Sequence, residues 1–146
     1  MNSNLLYLTQ TDTTVGFVSS EPKKLSHAKQ RDKNQPFLIA VDSYKKLKQI
    51  SCVPKVHRKR VRRTKKTSYL YPDKNAIRVI QEPNHLKFLK EFDFLYTTSA
   101  NKNQEPFDIE YAKKEAEVVI EDCRGLHQFC ASAIIKLGKI KVKKLR

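Results

Sequence analysis

Short apolar runs separated by polar, helix-forming stretches set the first reading of this chain. Leu5–Leu8 is an apolar run of the kind a buried strand uses, and Pro36–Val41 (PFLIAV) is a continuous second one. Thr67–Tyr71 and Ala76–Ile80 read as strands on either side of Pro72-Asp73-Lys74-Asn75, a turn-rich tetrapeptide. Phe94–Thr98 reads as a strand running into Ser99-Ala100-Asn101, and Val118–Ile120 as a short one. Ala131–Leu137 and Lys139–Leu145 read as two strands joined near Gly138. The second alternates Lys with Ile and Val, so one face is apolar and the other basic.

Helices are predicted between these runs. Ser20 is placed to cap one that carries Pro22 in its first turn and ends near Gln30. Asp42 is placed to cap the next, with Tyr44, Leu47 and Ile50 on one face. Asn84–Phe92 and Asp108–Ala116 complete the set. Thr9–Thr14 is a polar, hydroxyl-rich segment leading to Val15-Gly16-Phe17. Alternating strands and helices with a strand pair at the end predict one α/β domain over residues 1–146, a mixed sheet with helices packed on it.

Composition narrows the class. A chain of 146 residues fits one domain and can bury a real core. No apolar stretch approaches the length of a membrane span, and Met1–Leu8 has no charged leader region, so a cytoplasmic protein without a membrane partner is expected. The formal charge of +15 favours polyanionic partners. Cys52, Cys123 and Cys130 form no CxxC pair, and His127 between the last two does not complete a zinc pattern. Buried or idle thiols are expected, with no dedicated metal site.

Three glycines cannot build a GxxxxGK[ST] or GxGxxG phosphate cradle, and neither motif is present. Any nucleotide site must use cationic and hydroxyl side chains with exposed backbone amides. Three constellations offer these: Thr11-Asp12-Thr13-Thr14-Val15-Gly16 after a strand, Lys29-Gln30-Arg31 before one, and Thr97-Thr98-Ser99-Ala100-Asn101 at a strand end, where open α/β sheets place their ligands. Singly, each matches an ordinary loop, solvated helix face or turn.

Their order resembles that of the YrdC-like (YrdC/YciO) family of threonylcarbamoyl-AMP synthases. The matching stretches are TDTTVG at Thr11–Gly16, KQRDKNQPFLIAV at Lys29–Val41, AIRV at Ala76–Val79, TTSAN at Thr97–Asn101 and SAII at Ser132–Ile135. The resemblance implies a twisted mixed sheet flanked by helices, with a concave basic groove. It implies synthesis of threonylcarbamoyl-AMP from L-threonine, bicarbonate and ATP with release of pyrophosphate, for tRNA threonylcarbamoyladenosine modification. It assigns Lys29, Arg31, Ser99, Asn101 and Arg146 to ATP, with Mg2+ accompanying the phosphates, and Thr11, Arg78 and Ser132 to threonine. The catalytic residues are unknown, because no side chain stands out as a general base. Asp32 stands where the family has Pro, Ala40 where it has a threonine-contacting His, and basic sequence around Arg62–Lys66 where it has Pro-Gly-Pro. The alternative reading is a non-catalytic relative that binds nucleotide or double-stranded RNA.

Two basic segments remain. Lys55–Lys66 holds eight Lys or Arg and Lys136–Arg146 six, together fourteen of the thirty. Arg58, Lys59, Arg62 and Arg63 are the candidates for phosphate contacts with tRNA or double-stranded RNA. Partner proteins of tRNA modification are a further expectation of the resemblance.

Overall fold

The computed structural model describes residues 1–32 and 35–146. Lys33 and Asn34, inside the second matching stretch, lie outside the described residues. Among the described residues nine strands form one sheet: β1 (Tyr7–Gln10), β2 (Val15–Ser19), β3 (Leu38–Val41), β4 (Thr67–Leu70), β5 (Ala76–Val79), β6 (Leu95–Ser99), β7 (Val118–Ile120), β8 (Ala133–Leu137) and β9 (Val142–Lys144). Their spatial order is β7-β1-β2-β6-β3-β5-β4-β8-β9. The pairs β1–β7, β3–β5 and β4–β8 are parallel, and the other five are antiparallel. The helices are α1 (Pro22–Lys29), α2 (Tyr44–Ile50), α3 (Arg58–Arg63), α4 (Pro83–Leu89) and α5 (Ile109–Glu115), with a 3-10 turn at Lys55–His57.

Strand alternation sorts the side chains between two faces. One face carries Leu8 and Phe17 at one end and Ile39, Val41, Ile77, Tyr69 and Leu137 at the other; α1 and α5 add Leu25 and Ala112 to the first cluster, and α2 and α3 add Leu47 and Val61 to the second. The opposite face is apolar only where α4 lies on it, through Tyr7, Val18, Ala40, Ile80, Leu89 and Leu95. Beyond α4, the positions in register are Thr97, Arg78 and Ser68, all buried. Buried polar side chains facing one way need partners, and this is where the cavity lies.

Several expectations shift. Val15–Ser19 is a strand, although it reads as the end of a loop; it sits inside the sheet and is buried throughout, so it shows no alternation. The first strand is Tyr7–Gln10, since Thr9 and Gln10 are buried by pairing and by the Gln10 side chain, whose Oε1 accepts the His127 amide. Ser20 does not cap α1: Glu21 holds that position without a side-chain bond, and Ser20 Oγ instead donates to Asn4 Oδ1 at 2.8 Å. Asp42 does not cap α2: Ser43 does, accepting from the Lys46 amide, and Asp42 pairs with the Lys46 ammonium at 2.9 Å. Glu82 caps α4, which starts at Pro83 and ends at Leu89. Asp108 caps α5 as expected. All three cysteines are exposed, not buried. No helix among the described residues is long and apolar enough to cross a membrane.

Candidate functional site

The cavity has a volume of about 250 Å³. Its wall holds three arginines (Arg31, Arg78 and Arg146) and eight hydroxyl side chains, from Thr11, Thr13, Thr14, Thr97, Thr98, Ser68, Ser99 and Ser132; no described carboxylate lines it. Such a wall suits a ligand with several anionic groups.

Three parts of the sequence build it. The loop after β1 folds on its own hydroxyls: Thr11 Oγ1 donates to the Thr14 carbonyl at 2.6 Å and accepts the Thr13 and Thr14 amides. Gly16 lets this loop lie against β6, since a Cβ there would come within 2.8 Å of the Thr98 carbonyl oxygen and 2.9 Å of Thr11 Cγ2. Thr11 and Ser99 consequently face the same cavity. The second part is the end of α1. Gln30 takes a left-handed conformation at the helix C-terminus and turns the chain toward β3. Arg31 then lies 4.0 Å from the centroid of the Phe37 ring and donates to the Pro36 carbonyl at 3.1 Å.

The third part is Ser99-Ala100-Asn101. The buried Lys29 ammonium lies 2.9 Å from Ser99 Oγ, 2.8 Å from Asn101 Oδ1, and 3.3 and 3.2 Å from the two backbone carbonyls. Asn101 Nδ2 donates to the Lys102 and Glu105 carbonyls, which fixes its oxygen toward Lys29. Burial and the nearby Arg31 charge bring the Lys29 pKa down to about 8. Lys29 and Asn101 therefore stand behind Ser99 and do not line the cavity, whereas the expectation was that both reach the ligand. The cause is local: four oxygens of the β6 end already occupy the ammonium.

At the opposite wall, Arg78 meets Asp12 at 3.0 Å, with both side chains 4% exposed. Arg78 also donates to Thr13 Oγ1 at 3.3 Å. Burial alone would raise the Asp12 carboxyl, but the Arg78 guanidinium beside it holds it below the usual carboxylate value. His85 Nδ1 accepts the Asp12 amide at 3.1 Å, so the ring is neutral there, in keeping with a pKa that burial lowers. Ser68 and Ser132 bond at 3.0 Å across β4 and β8, and Arg146 Nε donates to the Ser132 carbonyl at 3.0 Å. Arg124 braces the threonine loop from outside. It donates to the Thr11 and Gln10 carbonyls at 3.1 and 2.9 Å and pairs with Glu82 and Asp122.

Six of the eight residues assigned to ATP or threonine thus share one cavity: Thr11, Arg31, Arg78, Ser99, Ser132 and Arg146. Arg58, Lys59, Arg62 and Arg63 are exposed on α3 and lie outside it. The sequence reading missed Asp12, His85 and Arg124 as supports. Asp12 lies inside the Thr loop motif and could have been singled out as its one acid; His85 and Arg124 carry no local signal.

The Sua5/YciO/YrdC family model, described as telomere recombination, matches residues 6–146. An uncharacterized protein of Mycoplasma pneumoniae, the MG259 homolog, is 30% identical over 109 residues, covering 73% of this chain and 23% of its own. Sua5 of P. abyssi, solved in complex with L-threonine, superposes with a TM-score of 0.80 at 19% identity, over 97% of this chain and 50% of that one. E. coli YciO superposes at 0.76 and 16% identity, over 98% of this chain and 82% of its own. The chain thus spans half of the Sua5 chain and less than a quarter of the curated relative. With the family model covering nearly every residue, this chain belongs to the Sua5/YciO/YrdC family.

Proposed function

We propose that the chain is an L-threonylcarbamoyladenylate synthase, a nucleotidyltransferase using L-threonine, bicarbonate and ATP. The observation that carries this reading is the wall of three arginines and eight hydroxyls, with no carboxylate among its described side chains. Arg31, Arg146 and Ser99 would hold the triphosphate. Arg78, Thr11 and Ser132 would hold threonine, as the L-threonine complex of the P. abyssi relative suggests. The threonine amine and bicarbonate condense to a carbamate with loss of water. A carbamate oxygen then attacks the α-phosphorus of ATP, forming the acyl-adenylate as pyrophosphate leaves. Arginines fixed before the reaction stabilise the charge that builds on the phosphate oxygens, so no covalent nucleophile is needed.

Mg2+ would arrive on the triphosphate. The two oxygens that the resemblance offered to phosphate or magnesium, Ser99 Oγ and Asn101 Oδ1, are already bonded to Lys29, so phosphate and water would supply the ligands. Among the described residues no group of three acidic, His or Cys side chains could hold a metal. The reading places the protein in the cytoplasm, where its product passes to the tRNA-modifying partner proteins.

The test is incubation with ATP, Mg2+, bicarbonate and threonine. Threonine-dependent pyrophosphate release supports the synthase. A second reading, a relative that binds nucleotide or double-stranded RNA without turnover, is favoured by one observation: Asp12 already pairs with the arginine proposed for the threonine carboxylate. ATP binding with no release would establish that reading.

A further inference from the structure

At the far edge of the sheet from β7, four of the eight exposed large apolar side chains gather: Val56, Ile140, Val142 and Leu145. Val56, Ile140 and Val142 line a groove of about 550 Å³ between the α3 region and the β8–β9 hairpin. His57, Lys59, Arg60 and Arg63 complete that groove, with His57 Nε2 lying 3.1 Å from the Gly138 carbonyl at the base of the hairpin. The alternating Lys and apolar residues here predict one apolar and one basic face for the last strand, and an apolar face is ordinarily buried. Instead Val142, Lys143 and Lys144 are all exposed. The strand is paired on one side only, with β8, among the described residues.

The ladder fixes which backbone groups are free. The Leu145 amide donates to the Ile134 carbonyl. Antiparallel alternation then turns the Lys143 amide inward and leaves those of Val142 and Lys144 facing outward. An edge that combines free amides, apolar side chains and a row of lysines selects its partner. A second copy would set Lys against Lys, which is how natural edge strands resist self-pairing. A strand alternating Asp or Glu with apolar residues would meet lysines with carboxylates and Ile140, Val142 and Val56 with apolar groups. Nucleic acid would use the cations and leave the apolar centre exposed.

We propose that β9 is a docking edge for an acidic polypeptide segment, which adds to the sheet as a further strand and lays its apolar side chains in the groove against α3. The site is separate from the arginine-lined cavity, whose lining residues it does not share.

The probe is a fluorescein-labelled Glu-Val-Glu-Val-Glu peptide, read by anisotropy against the full chain, with Lys-Val-Lys-Val-Lys and a short RNA duplex as comparisons. The acidic peptide should bind and the basic one should not. Lys144→Pro removes an outward amide and keeps the inward ladder. It should weaken peptide binding roughly tenfold, the scale of one lost hydrogen bond, while Lys144→Ala weakens it less. Ile140→Asp should also weaken it, with threonine-dependent pyrophosphate release unchanged. Hydrogen exchange on the wild-type chain gives a reading independent of any variant: the Val142 and Lys144 amides should gain protection when the peptide is added. Failure of the peptide to bind at low salt, equal binding of proline and alanine variants without added amide protection, or displacement of the peptide by an RNA duplex whose affinity needs Ile140 would each overturn the proposal.

Discussion

Replacing Asp12 by Asn tests the buried pair on which the Arg78 wall of the cavity is built. Asp12 and Arg78 meet at 3.0 Å, each 4% exposed, and Asp12 is the acid that faces this arginine. Asn keeps the shape and loses the charge, leaving a guanidinium in a site where burial already disfavours it. Removing one member of a buried pair costs roughly 3–5 kcal/mol, and Asn, which can still accept a hydrogen bond, should fall near the lower end. At about 2–4 °C per kcal/mol for a domain near this size, the melting temperature should fall by roughly 6–12 °C. The pH dependence carries a sign. The folded Asp12 pKa lies below its ordinary value, so its contribution is present above that ordinary value and is lost as pH falls through the folded one. His85, also lowered, resists protonation in the folded state, so stability declines further as pH drops below about 6.5. Calorimetry from neutral to acid pH should show the gap between wild type and Asp12→Asn closing at the acid end, where wild-type Asp12 is itself protonated. A melting temperature within about 1 °C of wild type at neutral pH would refute the reasoning, because the pair would then contribute nothing net.

Lys29→Met should loosen the Ser99–Asn101 turn and weaken ATP binding. In the wild type that affinity should fall as pH rises through about 8, and the variant should lack this dependence. Stability should move the other way: the folded pKa lies below the unfolded one, so unfolding binds protons between them, and stability rises with pH over that window. Gly16→Ala should displace the threonine loop, because its Cβ meets a backbone oxygen at 2.8 Å that cannot rotate away; a raised threonine KM with a smaller change for ATP is the expected kinetic result. Arg124→Met removes two bonds to the Gln10 and Thr11 carbonyls from outside the cavity. It should cost roughly 1–3 kcal/mol of stability, read by urea unfolding, and raise the threonine KM without changing tripolyphosphate binding.

What was legible in the sequence follows from how each feature is encoded. Arg78, Ser99, Ser132 and Arg146 sit on or next to strands whose runs are visible, so their common side follows once the strands are paired, while Arg31 follows α1 and reaches the cavity through the loop that leads to β3. β2 hides because a strand buried on both faces shows no alternation, and Gly16 within it suggests a loop. The caps at Ser20 and Asp42 fail for a different reason: each residue has a partner, Asn4 or Lys46, that wins it from the helix terminus. The resemblance assigns Lys29 to the ligand, and a KxR pair in sequence says nothing about which oxygens surround it. The structure turns that residue into the internal cation of the Ser99–Asn101 turn, and this bears on mechanism. A turn held by a lysine whose pKa is about 8 keeps Ser99 Oγ in place before any ligand arrives, so under the proposed function a phosphate would meet a hydroxyl already oriented. Under the proposed function, preorganisation of this kind requires the ammonium to stay with the protein as ATP is taken up. Threonine, on the proposed function, would meet the opposite geometry, since Arg78 would have to take a carboxylate while Asp12 is bound to it. A bidentate guanidinium has five donors, and Asp12 and Thr13 occupy two of its three nitrogens, so both can be served only if the substrate approaches the remaining face.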